Sequence, residues 1–291
     1  MDNKYKLSHA RHDSVHCLVP GLFRALKRGE RKKEKLDITY DCGSGNLIEF
    51  KGPEPLGADD LRVLQGLVAM AGPDGVILGS TPKSEIGQEL RGRLEPKWDA
   101  VTENAIKIEG SYKELAKEIG YKKIGGSQID SIQKCIERLW TVCIMFQSGK
   151  KRMGFHLLSH YRSEKQNNQK DGTLHVALNP LIAQTIMGRG KHVRINMDEV
   201  RTLKSDAARL MHQRLCGWID QGKSRLVSID TLCSYVWPLE SNSSTMRKRR
   251  QRVREALSEL VELNWTVNET EAHSGQDIIS RPSEQIKLPA A

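Results

Sequence analysis

The sequence predicts an α+β fold built from two tandem winged-helix units, each a helix-turn-helix followed by a β-wing. Three observations predict it. Ser111, Leu115, Ile119 and Ser127 align without a gap with Ser228, Leu232, Val236 and Ser244, so one pattern occurs twice. In both copies the residues read as strand, short helix, turn, longer helix and β-hairpin. A length of 291 residues fits two domains of ordinary size, each able to bury its own core. The expected division is a basic N-terminal segment (1–35), a first winged helix with an N-terminal hairpin (36–195), a second winged helix (196–283) and a C-terminal tail (284–291).

Within 1–35 only LVPGLFRALKRG (18–29) has an ordered pattern, and the rest is expected to be loose. LDITYD and NLIEF around Cys42-Gly-Ser-Gly45 spell a hairpin over 36–50. ADDLRVLQGLVAMAG (58–72) predicts a helix with Asp59 as N-cap, Leu61, Leu64, Leu67 and Val68 on one face, and Gly72-Pro73 as its stop. AIKIEG reads as a strand, and SYKELAKEIG (111–120) as a helix opened by a Ser111/Glu114 capping box and closed at Gly120. SQIDSIQKCIERLW (127–140) places Ile129, Ile132, Ile136 and Leu139 on one side of a helix. TVCIMFQ and RMGFHLLSHY form two strand-like runs around a Gly-Lys turn. TLHVAL is a further strand, and NPLIAQTIMG a short helix capped by Asn179.

A connector, HVRINMDEVRTLK (192–204), leads to the second unit. Its first helix, 205–220, is capped by Ser205 with Ala207, Leu210, Met211 and Leu215 inward. RLVSI is a strand, DTLCSYVWP a helix stopped by Pro238, 244–263 a long helix, and 265–282 a hairpin.

Charge singles out the long helix. The chain carries a formal +10, which points to a polyanionic partner, and six Arg or Lys fall within positions 247–254. Wound at about 3.6 residues per turn, Met246, Val253, Leu257, Leu260 and Val261 form an inward stripe. Ser244, Lys248, Gln251, Arg252 and Glu255 lie opposite, with Thr245 in the first turn and Arg247 and Ser258 alongside. Arg249, Arg250 and Arg254 fall on the flanks. The last helix of a helix-turn-helix enters the major groove. Lys248 and Arg252 suit guanine, Gln251 suits adenine, and Glu255 suits cytosine or orients Arg252, while flanking arginines suit phosphates. Cations in a helix's first turns oppose the macrodipole at about 0.3–1 kcal/mol each, so this crowding is poorly arranged for stability alone. The equivalent helix of the first unit offers Ser127, Ser131, Lys134 and Arg138, with Lys150, Lys151 and Arg152 at its wing tip.

Other signals are weaker. The six cysteines are scattered without a C-x-x-C pair, which predicts reduced thiols. No apolar run approaches membrane-spanning length, and the polar N-terminus is no secretory signal, so an intracellular protein without a membrane partner is expected. His9, His12, His16 and Cys17 lack a completing ligand, so no metal is expected. His156, His160 and Tyr161 lack the His-x-His spacing of a nicking nuclease. GWIDQGKS (217–224) satisfies the P-loop pattern, but the surrounding order is helix, turn, strand, the reverse of a phosphate-cradling loop. No catalytic constellation and no cofactor site is found.

Several long blocks, LVPGLFRALKRGERKK, GPEPLGADDLRVLQGLVAMAG, HQRLCGWID, SIDTLCSYVWP and STMRKRRQRVREALSELVELNWTV among them, closely resemble the RepC family of replication initiators of IncQ-type plasmids. The resemblance implies a bacterial cytoplasmic, non-enzymatic protein that binds direct repeats (iterons) in double-stranded plasmid origin DNA. It also implies help in melting an adjacent A·T-rich region, a separate helicase and primase as partners, and self-association as a homodimer. A winged-helix transcriptional repressor with no role in strand opening is the alternative from the same fold.

Overall fold

The structure, a computed structural model, describes residues 9–71, 76–78, 105–164, 173–179, 182, 192–269 and 276–283. The chain opens with strand β1 (His9–Asp13) and the short helix α1 (Ser14–Leu18), then an irregular stretch with one 3-10 turn at Glu30–Lys32. Hairpin β2 (Leu36–Gly43) and β3 (Asn46–Gly52) precedes α2 (Ala58–Met70). Strands β4 (Val76–Leu78) and β5 (Ala105–Ser111) come next, followed by α3 (Tyr112–Glu118) and α4 (Gly126–Thr141). Strands β6 (Cys143–Ser148), β7 (Lys151–His156), β8 (Leu158–Glu164), β9 (Thr173–Leu178) and β10 (His192–Asn196) complete the first half. The second contains α5 (Met197–Thr202), α6 (Asp206–Trp218), β11 (Ser224–Ser228), α7 (Ile229–Val236), α8 (Ser243–Val261), β12 (Thr266–Glu269) and β13 (Gln276–Ser280).

The described strands form four antiparallel sheets in the orders β1-β10, β2-β3-β6-β7, β4-β5-β9-β8 and β11-β13-β12. A mixed α+β fold is thus present. The early hairpin and the 143–156 hairpin merge into one sheet, with Phe50 opposite Ile144 and Ile48 opposite Phe146. Ser44 and Gly45, both at positive φ, make the tight turn of the early hairpin.

Most helices begin where the capping chemistry puts them. Ser111 accepts from the Glu114 N–H at 3.1 Å and the Glu114 carboxylate accepts from the Ser111 N–H at 3.0 Å. The Ser205 and Ser228 hydroxyls cap α6 and α7 by accepting from the Ala208 and Thr231 N–H groups, without a returning carboxylate, and Gly120 at φ 85° ends the helical stretch after α3. The aligned Leu115, Ile119, Leu232 and Val236 are all essentially inaccessible.

Four expectations are corrected. The cap of α2 is the extended Gly57, not Asp59, and it is Asp60 whose carboxylate turns back to accept from the Gly57 N–H at 2.7 Å. The run 152–161 is not one strand. Leu157 is fully buried and donates its N–H to the Val142 carbonyl at 2.9 Å, so the chain leaves one sheet there and enters another. The 192–204 connector is strand β10 and helix α5, the latter capped by Asn196. The N-terminal segment is not loose: β1 pairs with β10, and Cys17, Val19, Leu22 and Phe23 are buried. The short helix expected from Asn179 onward lies largely outside the described residues.

Helix α2 is the centre of the packing. It buries residues all round its circumference, which a surface helix does not do. Gly66 lets α3 approach it, since a Cβ there would stand 2.3 Å from Ile119 Cγ2. Gln65 Nε2 donates to Gln213 Oε1 of α6 at 2.5 Å, and Gln213 in turn donates to the His16 carbonyl at 3.4 Å. One cluster of buried residues consequently runs from Ala10 to Ile279.

Asp60 is fully buried and satisfies three separate pieces of chain. Besides Gly57, Arg31 Nη1 donates to its Oδ2 and Arg138 Nε to its Oδ1, both at 2.8 Å. Asp60→Ala leaves two cations and an amide without their acceptor. The expected loss is about 3 kcal/mol, the low end for breaking a buried pair because both guanidiniums keep some contact with water. Urea denaturation of the variant against the parent measures it, and a loss under about 1 kcal/mol, the net worth of an ordinary hydrogen bond, contradicts the central role of this carboxylate.

Candidate nucleic-acid interface

Helix α8 packs against α6 and α7, starting from Asn242, whose Oδ1 accepts from the Thr245 N–H at 2.9 Å. Val253, Ala256, Leu257 and Leu260 are buried beneath it, while Met246 is half-buried. Val261, expected on this stripe, is 50% exposed at the last turn. On the outside, Ser244, Arg247, Lys248, Gln251, Arg252, Arg254 and Glu255 are all exposed, with Thr245 half-buried.

The basic run does not act as one block. Arg249 is buried: its Nη1 donates to the Leu239 carbonyl at 2.7 Å and its guanidinium lies over the Trp237 ring, 5.7 Å from the centroid. It therefore holds the α7–α8 turn closed, and the expected flank position for a phosphate contact is corrected. Arg250 makes a two-pronged pair with Asp230 of α7, at 2.6 and 2.8 Å. The guanidinium beside it holds the Asp230 carboxyl below its ordinary range, and Arg250 is pushed up in turn. Gln251 Nε2 donates to Glu255 Oε1 at 3.0 Å, so Glu255 orients Gln251 and not Arg252. Among the described residues no side-chain hydrogen-bond or ion-pair partner is found for Arg247, Lys248, Arg252 or Arg254, while Arg254 acts electrostatically on Asp277 of β13.

In the first half, Ser127 and Lys134 are exposed on α4 and Ser131 is half-buried. The Ser127 hydroxyl donates to Gln128 Oε1 at 3.1 Å. Arg138 is committed to Asp60 and also donates to Cys135 Sγ at 3.1 Å, so its expected place on an outward face is corrected. At the hairpin tip Lys150, Lys151 and Arg152 are exposed, the last with Nη2 3.4 Å from Glu49 Oε2.

One group of cations is visible only in three dimensions. A cleft of about 430 Å³ brings Lys27, Arg28 and Lys33 together with Asn242 and Thr245 at the start of α8. The run KRGERKKEK (27–35) is plainly basic, but nothing in its linear position places it beside residue 242.

The decoy motifs resolve differently. Gly217 lies inside α6, where a Cβ would be 2.8 Å from Cys17 Cβ, so it serves the contact with α1. Gly222 turns at φ 71°, the Lys223 N–H donates to the Asp220 carbonyl at 3.0 Å, and β11 begins at Ser224. No helix starts at Lys223–Ser224 to meet phosphates with its amides. His156 and Tyr161 belong to β7 and β8 of different sheets, with His156 stacked on Trp140. His12 is buried, and burial followed by the neighbouring His16 lowers its pKa to about 3, so it is a neutral core residue.

The group best suited to hold a metal among the described residues is Glu199, His212 and Cys216. Its members already bond to one another through His212 Nε2, while Nδ1 of the same ring has no hydrogen-bond partner among the described residues. His212 Nε2 lies 2.5 Å from Glu199 Oε2, Trp265 Nε1 donates to that same oxygen at 3.2 Å, and Cys216 Sγ is 3.5 Å from His212 Nε2. Burial disfavours the charge on both partners, yet the contacts win: Cys216 and then Glu199 raise His212, and His212 and then Trp265 lower Glu199. The arrangement is an internal ion pair that locks α5 to α6 and to Trp265. Among the described residues no helix is long and apolar enough to cross a membrane.

Comparison with known proteins bears on the family and the fold. A model of the family described as Replication protein C (RepC) matches residues 4–283. Comparison with curated protein sequences returns no match. The structure is similar to domains 2 and 3 of RctB, with a TM-score of 0.56 at 11% identity over 93% of this chain and 97% of that one. A selenomethionine form of the same domains gives 0.55 at 12% identity, over 93% and 99%. It is also similar to the Pi initiator protein solved in complex with iteron DNA, with a TM-score of 0.50 at 13% identity over 94% and 96%. At these identities the likeness establishes a shared mixed α+β fold.

Two outcomes follow from the internal pairs. Glu199, lowered in the folded state, contributes stability above its ordinary value of 4.5 that is lost as pH falls through the folded pKa. His212, raised, contributes fully below 6.5 and loses its contribution as pH climbs through its folded pKa. Thermal melting of Glu199→Gln/His212→Gln is expected to depend less on pH than the parent at both ends; parallel profiles contradict the pairing. Arg249→Ala is expected to lower stability by about 1.5–3 kcal/mol, the worth of a charged hydrogen bond, with an unchanged salt slope of DNA binding. A lower slope with unchanged melting would return Arg249 to the outer face.

Proposed function

The chain belongs to the replication protein C family, and on that premise we propose that it is a plasmid replication initiator. It binds direct repeats at its origin, opens the adjacent duplex and admits a separate helicase and primase, without catalytic chemistry of its own. We read residues 36–195 and 196–283 as two winged helices. Supporting this, α3, α4 and the β6–β7 hairpin repeat the order of α7, α8 and the β12–β13 hairpin.

The observation that carries the reading is the outer face of α8. Four cations, Arg247, Lys248, Arg252 and Arg254, are exposed there without a side-chain hydrogen bond or ion pair among the described residues, while Arg249 and Arg250 are spent on holding the helix in place. With α8 in the major groove, Lys248 and Arg252 meet guanine O6 and N7, and Gln251, held by Glu255, meets adenine. Arg247 and Arg254 lie nearer the groove walls and take phosphates. The first winged helix offers Ser127, Ser131 and Lys134 on α4, and Lys150, Lys151 and Arg152 at its wing, as a second and milder DNA surface. That the Pi initiator was solved on iteron DNA supports direct repeats as the target. The reading includes self-association of the chain as a homodimer.

Neutralising about six phosphates lowers affinity about a thousandfold between 50 and 200 mM salt. Arg252→Ala is expected to lose about 1–3 kcal/mol of discrimination between repeat and scrambled duplex. Arg254→Ala is expected to weaken both complexes equally and lower the salt slope by about 1. Fluorescence anisotropy on the two duplexes across a salt series measures both, and identical behaviour of the two variants contradicts the division of the helix face. Permanganate probing of supercoiled origin DNA is expected to reveal unpaired thymines beside the repeats. Tight binding with no reactive thymine would make the protein a repressor instead.

A further inference from the structure

We infer that the N-terminal loop spanning Lys27 to Lys33 is a second phosphate-binding element, gripping the DNA backbone beside the groove that α8 occupies. The inference rests on the reading of α8 as the DNA-recognition helix.

The loop is built into the second half of the molecule. The Ala25 N–H donates to the Val236 carbonyl at the end of α7 at 2.9 Å, and Gly21, at φ 78°, lies so near Pro238 that a Cβ would be 3.3 Å from its Cγ. The loop is also tied internally. Arg24 is paired with both Glu30 and Glu34, and Glu30 accepts from the Lys27 N–H at 2.7 Å. Burial would raise the Glu30 carboxyl, but the Lys27 amide and Arg24 together hold it below its ordinary range.

This internal pairing consumes two of the three carboxylates in the cleft, leaving Glu240, and frees the outward cations. Lys27, Arg28, Lys32 and Lys33 are exposed, and among the described residues no side-chain hydrogen-bond or ion-pair partner is found for the last three. Lys27, Arg28 and Lys33 border the first turn of α8, where the helix dipole adds further positive potential. Four cations fixed in a preorganised loop, next to the end of a helix that enters the major groove, match the spaced charges of a duplex backbone. Backbone amides and lysines that meet phosphates there carry affinity without base preference.

The test uses the full chain with Lys27→Ala, Arg28→Ala, Lys32→Ala and Lys33→Ala combined. Binding is measured over a salt series on an origin-repeat duplex with one helical turn of flank on each side, and on a scrambled duplex of equal length. The expected result is a salt slope lower by about 0.9 for each phosphate no longer neutralised, about 3.6 for all four, with the ratio of the two affinities unchanged. A Lys27→Arg, Lys32→Arg and Lys33→Arg variant keeps the charge and is expected to keep the parental slope, and melting of both variants is expected to match the parent. A quadruple variant with the parental slope overturns the loop's role alone, as does a slope reduced equally in the arginine variant. A parent that binds neither duplex overturns the reading of α8 as well.

Discussion

One buried carboxylate organises the molecule. Asp60 binds the Gly57 amide at the start of α2, Arg31 from the N-terminal segment and Arg138 from α4. An ionised carboxylate out of water is costly unless its lone pairs are filled by good donors, and here three donors converge on two oxygens. The geometry this demands is narrow. The N-terminal segment must cross over the start of α2, and α4 must lie along α2 at a fixed rotation. Fixing α4 fixes the hairpin that follows it, and that hairpin shares a sheet with β2 and β3. The same helix α2 reaches α6 through Gln65 and Gln213, so the constraint extends into the second half of the chain.

A surplus of like charge on α8 is tolerable because the charges are handled in different ways. Arg249 closes the turn before the helix and Arg250 is clamped by Asp230, so these two strengthen the join between α7 and α8. The four cations left outside, Arg247, Lys248, Arg252 and Arg254, make no side-chain hydrogen bond or ion pair among the described residues. Arg247 and Lys248, in the second turn of α8, are the two nearest the positive end of its dipole. Their retention on an exposed face is understandable when the missing counter-charge comes from a polyanion. The same logic holds at the N-terminal loop, where Arg24 is neutralised by Glu30 and Glu34 while the neighbouring cations point outward.

Local chemistry was legible in the sequence wherever cause and effect lie within a few residues. The capping box of Ser111 and Glu114, the cap at Ser205 and the inward positions of α3, α4 and α6 all follow from spacing alone. So does the internal repeat, because Leu115 and Leu232 occupy equivalent core positions. What was not legible depends on distant partners. Asp59 and Asp60 are equally good first-turn acids by sequence, and only Arg31 and Arg138 select the second. The β1 strand reads as polar because its pairing partner is β10, far along the chain. The break at Leu157 lies inside an unbroken strand-like run, where no Gly or Pro marks it. Arg249 sits at an angle between core and flank, and the Leu239 carbonyl and Trp237 ring decide which it serves.

The P-loop match and the basic helix together show how context decides the meaning of a motif. GWIDQGKS has every residue a phosphate loop needs, yet its first glycine is inside a helix packed on Cys17 and its Lys-Ser leads into a strand. The amides that would cradle phosphate are therefore absent from the place where the pattern requires them. The basic helix has no formal motif at all. Its meaning comes from a buried stripe on one side, two arginines consumed at the seam, and an outer face where four exposed cations outnumber the single carboxylate of Glu255. A polyanion is attracted where positive charge is fixed and exposed, and the described residues offer that at α8 and its neighbouring loop, not at the sequence that imitates a nucleotide site.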